Sequence, residues 1–148
     1  MSALARFAEY ALAFEKAYHS DDWSGVEPFF TEDAVYETTG GPPFDGLHQG
    51  RAAVMKAFKA SVDGFDRRFD VRKVRMIEGP EDKDGVVWMS WRATYRVRGA
   101  ADFILEGEER AWFDGGRISR LEDRFAPGMP EALARFMKNY GAKLHPAE

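Results

Sequence analysis

From residue 69 to residue 125 the sequence alternates between apolar and polar side chains, whereas earlier apolar residues recur every three or four positions. A period of two is typical of strands with one buried face, and a period near 3.6 is typical of amphipathic helices. Glycine-rich segments at 79–85, 99–102 and 114–116 divide the alternating region into strands predicted at 69–78, 86–98, 103–113 and 117–125. Sequential strands joined by short turns predict an antiparallel meander.

Helical spacing predicts helices over 3–19 and 50–63, a last helix between Pro130 and Gly141, and a short helix that buries Trp23. A strand is predicted at 34–39, followed by a loop, GGPPFDG, at 40–46. Because helices precede the meander and do not alternate with its strands, the pattern predicts an α+β fold, a curved antiparallel sheet packed with helices. The length of 148 residues predicts a single domain over 1–148.

Composition excludes several classes of function. The net charge of -4 gives no indication of the strongly basic face that nucleic-acid binding requires. The absence of cysteine rules out thiolate nucleophiles and cysteine-ligated metals. His19, His48 and His145 have no metal-ligand spacing, so no metal site is expected. Glu9 and Glu15 interrupt the apolar pattern of the first helix, which therefore reads as an ordinary helix. We expect a cytoplasmic protein with no membrane and no nucleic-acid partner.

Two carboxylates fall on the apolar side of the predicted sheet. Glu109 shares its strand face with Leu105 and Phe113, and Asp123 shares its face with Leu121 and Phe125. The hairpin turn at 114–116 is predicted to hold three residues, because a two-residue turn would pair inward-facing with outward-facing positions. This register places Glu109 opposite Leu121, and Asp123 opposite Gly107 and diagonal to Glu109. The missing side chain at Gly107 then predicts open space beside Asp123.

Such a pair predicts acid–base catalysis. Burial raises the pKa of a carboxyl group, and a second carboxylate nearby raises one of the two further, which separates a proton donor from a proton acceptor. Asp123 and Glu109 are the predicted catalytic residues. The predicted ligand contacts are Phe14, Tyr18, Tyr36, Thr38, His48, Met89 and Trp91. The alternative is a structural role in which Arg92, Arg110 or Arg124 neutralises the two acids.

The other face of the sheet predicts a partner. It mixes opposite charges with Trp88, Trp112 and Ile118, which would be costly to leave exposed, so we expect a symmetric homodimer through this face. A run of basic residues interrupted by two aspartates is interpreted as a solvated strand: Arg67, Arg68, Arg72, Lys73 and Arg75.

The order of elements and three segments resemble a known superfamily. The segments are WSGVEPFFTEDAVYETTG, GLHQGRAAVMKAF and FDGGRISRLEDRF, and over residues 3–126 the chain resembles nuclear transport factor 2 (NTF2)-like proteins, in particular SnoaL-like proteins and relatives of ketosteroid isomerase. The resemblance implies a cone-shaped α+β barrel with a deep hydrophobic pocket, usually dimeric, with no metal or organic cofactor. The superfamily contains isomerases, cyclases, dehydratases, epoxide hydrolases and binding proteins without catalysis.

Residues carried over by this resemblance fit only part of an isomerase site. The isomerases' tyrosine donor falls on Phe14, their general-base aspartate falls near Thr38, and their second acid matches Glu109. Asp123 in RLEDRF resembles the last-strand acid of SnoaL-type cyclases and epoxide hydrolases. Two hypotheses follow: a cofactor-independent isomerase, cyclase or lyase acting on a small hydrophobic carbonyl compound, or a non-catalytic ligand-binding or dimerisation module.

Overall fold

The computed structural model describes residues 2–147. These residues form the helices α1 (Ala3–Ser20), α2 (Arg51–Gly64) and α3 (Met129–Tyr140). The strands are β1 (Phe30–Thr39), β2 (Gly46–Gln49), β3 (Val71–Lys83), β4 (Val86–Arg96), β5 (Phe103–Asp114) and β6 (Arg117–Phe125). Short 3₁₀ helices lie at Trp23–Gly25, Glu27–Phe29, Asp66–Arg68 and Gly141–Lys143.

The strands form one curved, unclosed sheet in the order β2-β1-β6-β5-β4-β3. The α+β fold and the β3–β6 meander predicted from the sequence are confirmed. The prediction of a purely antiparallel sheet is wrong at one position, since β1 runs parallel to β6. The parallel pairing is possible because β1 and β6 are not consecutive in the chain: β2, α2 and the strands β3 to β5 lie between them.

One turn is shorter than predicted, and one short strand was not predicted. Strand β3 continues through the predicted 79–85 turn to Lys83, with register shifts on either side of Glu78. The chain reverses at Asp84 and Gly85, which both have positive φ. The Gly85 N–H donates a 2.7 Å hydrogen bond to Oδ1 of Asp82. Strand β2 was not predicted, because its four residues are too few to show a period. His48, for which no strand was predicted, lies in this strand opposite Tyr36.

The core has two parts, which share a cavity. One part packs α1 and α2 on the sheet and centres on Phe7, Phe30, Phe58 and Leu121. The other lies under α3 and includes Phe69, Tyr95, Phe103 and Phe136. The elements therefore surround the concave face of the sheet, where the predicted inward residues of β4, β5 and β6 point.

The outer sheet face is less apolar than predicted. Ile118 is fully buried in the core, which corrects its assignment to this face. Trp88 and Trp112 are half-buried beneath cations, with Lys83 Nζ 4.4 Å from the Trp88 ring and the Arg120 guanidinium 6.0 Å from the Trp112 ring. The chain thus covers part of the surface on which the homodimer prediction was based. The homodimer itself stays a prediction.

Candidate active site

The concave side of the sheet encloses a cavity of about 900 Å³. Its wall contains all but one of the residues predicted for the site: Phe14, Tyr36, Thr38, His48, Met89, Trp91, Glu109 and Asp123. A cavity of this volume is within the usual range for small-molecule sites. The aromatic side chains of the wall therefore leave room for a ligand.

Four of these residues form one row across the sheet. Met89 of β4 pairs with Glu109 of β5, Glu109 pairs with Asp123 of β6, and Asp123 pairs with Thr38 of β1. Directly opposed residues have Cβ atoms about 4.5–5.5 Å apart, so the two carboxyl groups are immediate neighbours. The prediction that Asp123 lies diagonal to Glu109 is wrong, and the pair is closer than expected.

The change in register comes from the β5–β6 hairpin. Its turn contains two residues, Gly115 and Gly116, because Asp114 pairs with Arg117, so the prediction of a three-residue turn is wrong. An extra residue, Ser119, then interrupts the ladder: Phe113 pairs with Ile118 and Trp112 pairs with Arg120. This bulge restores the phase, so Asp123 still faces inward, and it also turns Ile118 into the core.

Gly107 does not leave the open space that was predicted beside Asp123. It pairs with Phe125, and a Cβ atom there would lie 2.5 Å from the Arg124 carbonyl oxygen and 2.7 Å from Cζ2 of Trp91. The glycine therefore lets the Trp91 indole approach the backbone of β5 closely, one row from the acid pair. Trp91 fills this space and becomes part of the wall.

The carboxylate of Asp123 has one clear donor and one orphan oxygen. The Tyr36 hydroxyl donates a 2.7 Å hydrogen bond to Oδ2. Oδ1 is buried and has no hydrogen-bond partner among residues 2–147. Within the same residues no arginine or lysine reaches Asp123 or Glu109; Arg92 pairs with Glu106 instead. The structural alternative, in which arginines neutralise both acids, is therefore not what the structure contains.

The pKa of both acids is raised, and that of Glu109 is raised further. The pKa of Glu109 lies well above its usual range because of burial and the neighbouring Asp123 carboxylate. Burial also raises the pKa of Asp123, but the polar groups of Glu109, Tyr36 and Trp91 beside it oppose that rise. The two groups titrate as a pair. Glu109 is thus the member that keeps a proton, and its proton has an acceptor in Oδ1 of Asp123.

Tyr10 of α1 completes the surroundings of the pair, and it was not among the predicted site residues. It is buried, lines the cavity, and its ring packs edge-on against Phe30 at 5.5 Å. Burial and the charges of Glu109 and Asp123 hold the pKa of its hydroxyl well above the usual value. The sequence does indicate that Tyr10 faces inward, because its helical spacing with Phe7 and Phe14 places it on the apolar face of α1.

Tyr18, the remaining predicted ligand contact, is not part of the cavity wall. Its ring lies beneath two guanidinium groups, that of Arg72 at 4.5 Å and that of Arg67 at 5.3 Å. Arg72 does not belong to a solvated strand as predicted, because only 8% of its side chain is exposed and it lines the cavity. The sequence contains a signal for this position, because Arg72 lies on the same face of β3 as Val74 and Met76, which also line the cavity.

Residues 2–147 contain no group of three or more histidine, aspartate or glutamate side chains arranged to hold a metal ion. Over the same residues no helix has the length and apolar composition needed to cross a bilayer.

Comparison with known families agrees with this architecture. The profile of the SnoaL-like domain family matches residues 11–124, which include both acids. The chain belongs to the SnoaL-like domain family. No curated protein matches the sequence at a significant level. The NTF2-like resemblance seen in the sequence is thereby confirmed.

Solved structures share the fold at low sequence identity. Bal32a, from a soil-derived mobile gene cassette, is 23% identical with a TM-score of 0.66, over 91% of this chain and 98% of its own. TerC, crystallised with polyporic acid, is 18% identical with a TM-score of 0.65, over 90% and 98%. An NTF2-like protein from Anabaena variabilis ATCC 29413 is 14% identical with a TM-score of 0.64, over 84% and 89%. These similarities establish the fold of this SnoaL-like protein.

Proposed function

We propose that this SnoaL-like protein catalyses proton transfer on a small hydrophobic ketone or aldehyde, as a cofactor-independent isomerase, cyclase or lyase. One observation carries the proposal: Asp123 Oδ1 is buried without a donor beside Glu109, inside a cavity of about 900 Å³. An unpaired acceptor in such a place requires a proton from its neighbour. The pair therefore holds one proton that a ligand can exchange.

Each acid has its own role in the proposed reaction. Glu109, with the higher pKa, donates its proton to the carbonyl oxygen of the ligand, which uncovers Oδ1 of Asp123. The ionised Asp123 then takes a proton from the carbon beside the carbonyl, so that ketone becomes enol and the pair keeps one proton. Tyr36 holds the Asp123 carboxylate in place through Oδ2. Positioned acid–base groups of this kind contribute about 10²–10⁴-fold to a rate.

Hydrogen–deuterium exchange of ketones tests this proposal. A panel of aromatic and alicyclic ketones is incubated with the protein in D₂O, and loss of the α-proton signal is followed by NMR. We expect exchange with the native protein and a loss of about 10²-fold or more in Asp123→Asn. Asp102→Asn is the matched control, because Asp102 is an exposed acid paired with Arg96 on the surface. Equal exchange in native protein and Asp123→Asn would contradict the proposal.

The alternative function is ligand binding without catalysis. Native mass spectrometry separates the two, because a binding protein would retain a compound from the cell and yet exchange no α-protons. Retention in both native protein and Asp123→Asn, with no exchange in either, would favour this alternative.

A further inference from the structure

Gly107 lets the indole of Trp91 reach from β4 across β5 toward the acid pair. Trp91 pairs with Gly107, and Gly107 pairs with Phe125 of β6. A Cβ atom at Gly107 would lie 2.7 Å from Cζ2 and 3.1 Å from Cε2 of the indole, and Cε2 is bonded to the indole nitrogen. The nitrogen end of the ring therefore lies over β5, one row from Glu109 and Asp123.

Aromatic neighbours hold the indole in this orientation. The Phe125 ring meets the Trp91 ring edge-on, with centroids 5.6 Å apart and an interplanar angle of 88°. Phe44, from the loop before β2, stacks on Phe125 at 4.3 Å. Edge-to-face aromatic pairs favour one mutual orientation. The ring is thus fixed by β5, by β6 and by this loop.

The indole N–H lies beside the Asp123 carboxyl group without completing a hydrogen bond to Oδ1. Burial raises the pKa of Asp123, and the Trp91 indole is one of the polar groups beside it that oppose this rise. Oδ1 nevertheless has no partner among residues 2–147. A buried acceptor requires a donor, and the two groups placed to serve Oδ1 are protonated Glu109 and Trp91.

The proposed reaction removes one of these two donors. When Glu109 gives its proton to the ligand, Oδ1 of Asp123 is left charged and buried. A carboxylate oxygen has two lone pairs and can accept two hydrogen bonds. A donor on one lone pair of Oδ1 therefore leaves the other lone pair free to take the proton from carbon.

We propose that Trp91 is a positioning residue whose indole N–H binds Oδ1 of Asp123 once Glu109 has released its proton. Tyr36 holds Oδ2 throughout. The two donors then fix both oxygens of the carboxylate and aim the free lone pair of Oδ1 into the cavity. This inference rests on the proposed proton transfer and gives Trp91 a role that a residue of the cavity wall does not need.

Other ionisable groups face the same cavity, and the test must separate them from the acid pair. Burial holds the pKa of Tyr36 and of Tyr10 well above the usual value, and the charges of Asp123 and Glu109 add to this, so both hydroxyl groups stay protonated while the acids titrate. The remaining ionisable residues of the wall are Glu15, Asp45, His48, Asp66, Arg72 and Tyr95. Asp123→Asn retains all of these and is therefore the control for their effects.

Nitrogen-15 NMR of the indole groups tests the inference without a ligand. The pH is raised through the titration of the acid pair, which the carbon-13 signals of the two carboxyl groups report. We expect the indole proton of Trp91 to move downfield as the pair loses its last proton, because the N–H then binds a charged oxygen. Trp88 and Trp112, which lie beneath cations on the outer face, are controls in the same spectrum. Asp123→Asn should abolish the change.

A sulfur analogue separates the N–H group from the shape of the ring. Trp91 is replaced by 3-benzothienylalanine, in which a sulfur atom takes the place of the indole N–H. We expect kcat for α-proton exchange to fall about tenfold with KM unchanged, because a hydrogen bond to a charged group is lost while the wall keeps its form. The same replacement at Trp112 is the matched control and should leave kcat unchanged. If the analogue at position 91 fails to fold by circular dichroism, the NMR titration of the native protein decides.

Three results would overturn the inference. They are an indole proton of Trp91 that does not follow the acid pair, one that follows it equally in Asp123→Asn, or a native kcat in the sulfur analogue. The inference and the proposed function fail separately. If ketones exchange and the sulfur analogue exchanges them at the native rate, only the inference fails. If the Trp91 signal follows the pair and no ketone exchanges, the proposed function fails while the contact between Trp91 and Asp123 stands.

Discussion

The Tyr36 hydroxyl donates a 2.7 Å hydrogen bond to Oδ2 of Asp123 across the parallel pairing of β1 and β6. This contact joins the first strand of the chain to the last. It stabilises the ionised form of Asp123, because a hydrogen bond donated to a carboxylate favours the charged state of that group. It occupies Oδ2 alone, so Oδ1 has no hydrogen-bond donor among residues 2–147.

Tyr36→Phe should raise the pKa of Asp123. The substitution removes a donor that favours the carboxylate, while the burial that raises this pKa remains. Carbon-13 NMR titration of the aspartate carboxyl carbon measures the change. Tyr140→Phe is the control, since Tyr140 is the last residue of α3, packs against Phe136 of the same helix and is not part of the cavity wall. An unchanged or lowered pKa in Tyr36→Phe would show that the hydrogen bond does not support the ionised form.

The acid pair should make the protein less stable as the pH rises. The pKa values of Glu109 and Asp123 are raised in the folded state, so the unfolded chain releases these protons first and folding loses free energy above the unfolded values, near pH 4. The loss continues until the folded pair titrates. Glu109→Gln removes one acid and should therefore be more stable than the native protein at pH 8, by about 1 kcal/mol or more.

Guanidinium unfolding at pH 5 and pH 8 measures this effect. Glu108→Gln is the matched control, because Glu108 lies on the outer face beside Arg110, 3.5 Å away. The control should show the pH dependence of the native protein. A Glu109→Gln variant that loses as much stability between pH 5 and pH 8 as the native protein would contradict the raised pKa.

Gly107→Ala should displace Trp91 and lower stability. The added Cβ would meet the Arg124 carbonyl and the indole at distances that side chains do not tolerate. Overpacking of this kind costs about 1–3 kcal/mol. Urea unfolding measures the cost, and fluorine NMR of 5-fluorotryptophan reports the shift of the indole. Gly25→Ala, where no atom lies within 4 Å of the added Cβ, is the control.

The predicted homodimer can be tested on the outer sheet face. Native mass spectrometry should give twice the chain mass of 16.8 kDa. Ile104→Lys, at an exposed position of β5, should give a monomer, because a buried unpaired lysine is costly. Leu12→Lys, on the exposed side of α1, should leave the dimer intact. A native monomer, or dissociation by Leu12→Lys alone, would contradict a dimer through this face.

Strand alternation was enough to predict which way the acids point, because the inward set of β4 to β6 is dominated by apolar residues. It could not predict their pairing, since nothing in RISRLEDRF distinguishes a three-residue turn from a two-residue turn followed by a bulge. Arg72 was missed for a different reason. Its charge suggested solvent, and only the contacts with Asp66 and Glu15 reveal that a charged residue is stable inside the cavity.

The surplus residue at Ser119 sets the phase of β6, so the alignment of the two acids depends on how many residues lie between the turn and Arg120. With the same turn and no bulge, Asp123 would align with Glu108 and its carboxyl group would project from the opposite side of the sheet. Deletion of Ser119 would remove the surplus residue together with the bulge, and Asp123 would still pair with Glu109. One further residue in this segment would instead require a second bulge, so homologues with both acids and a hairpin one residue longer are expected to lose the pairing and its chemistry.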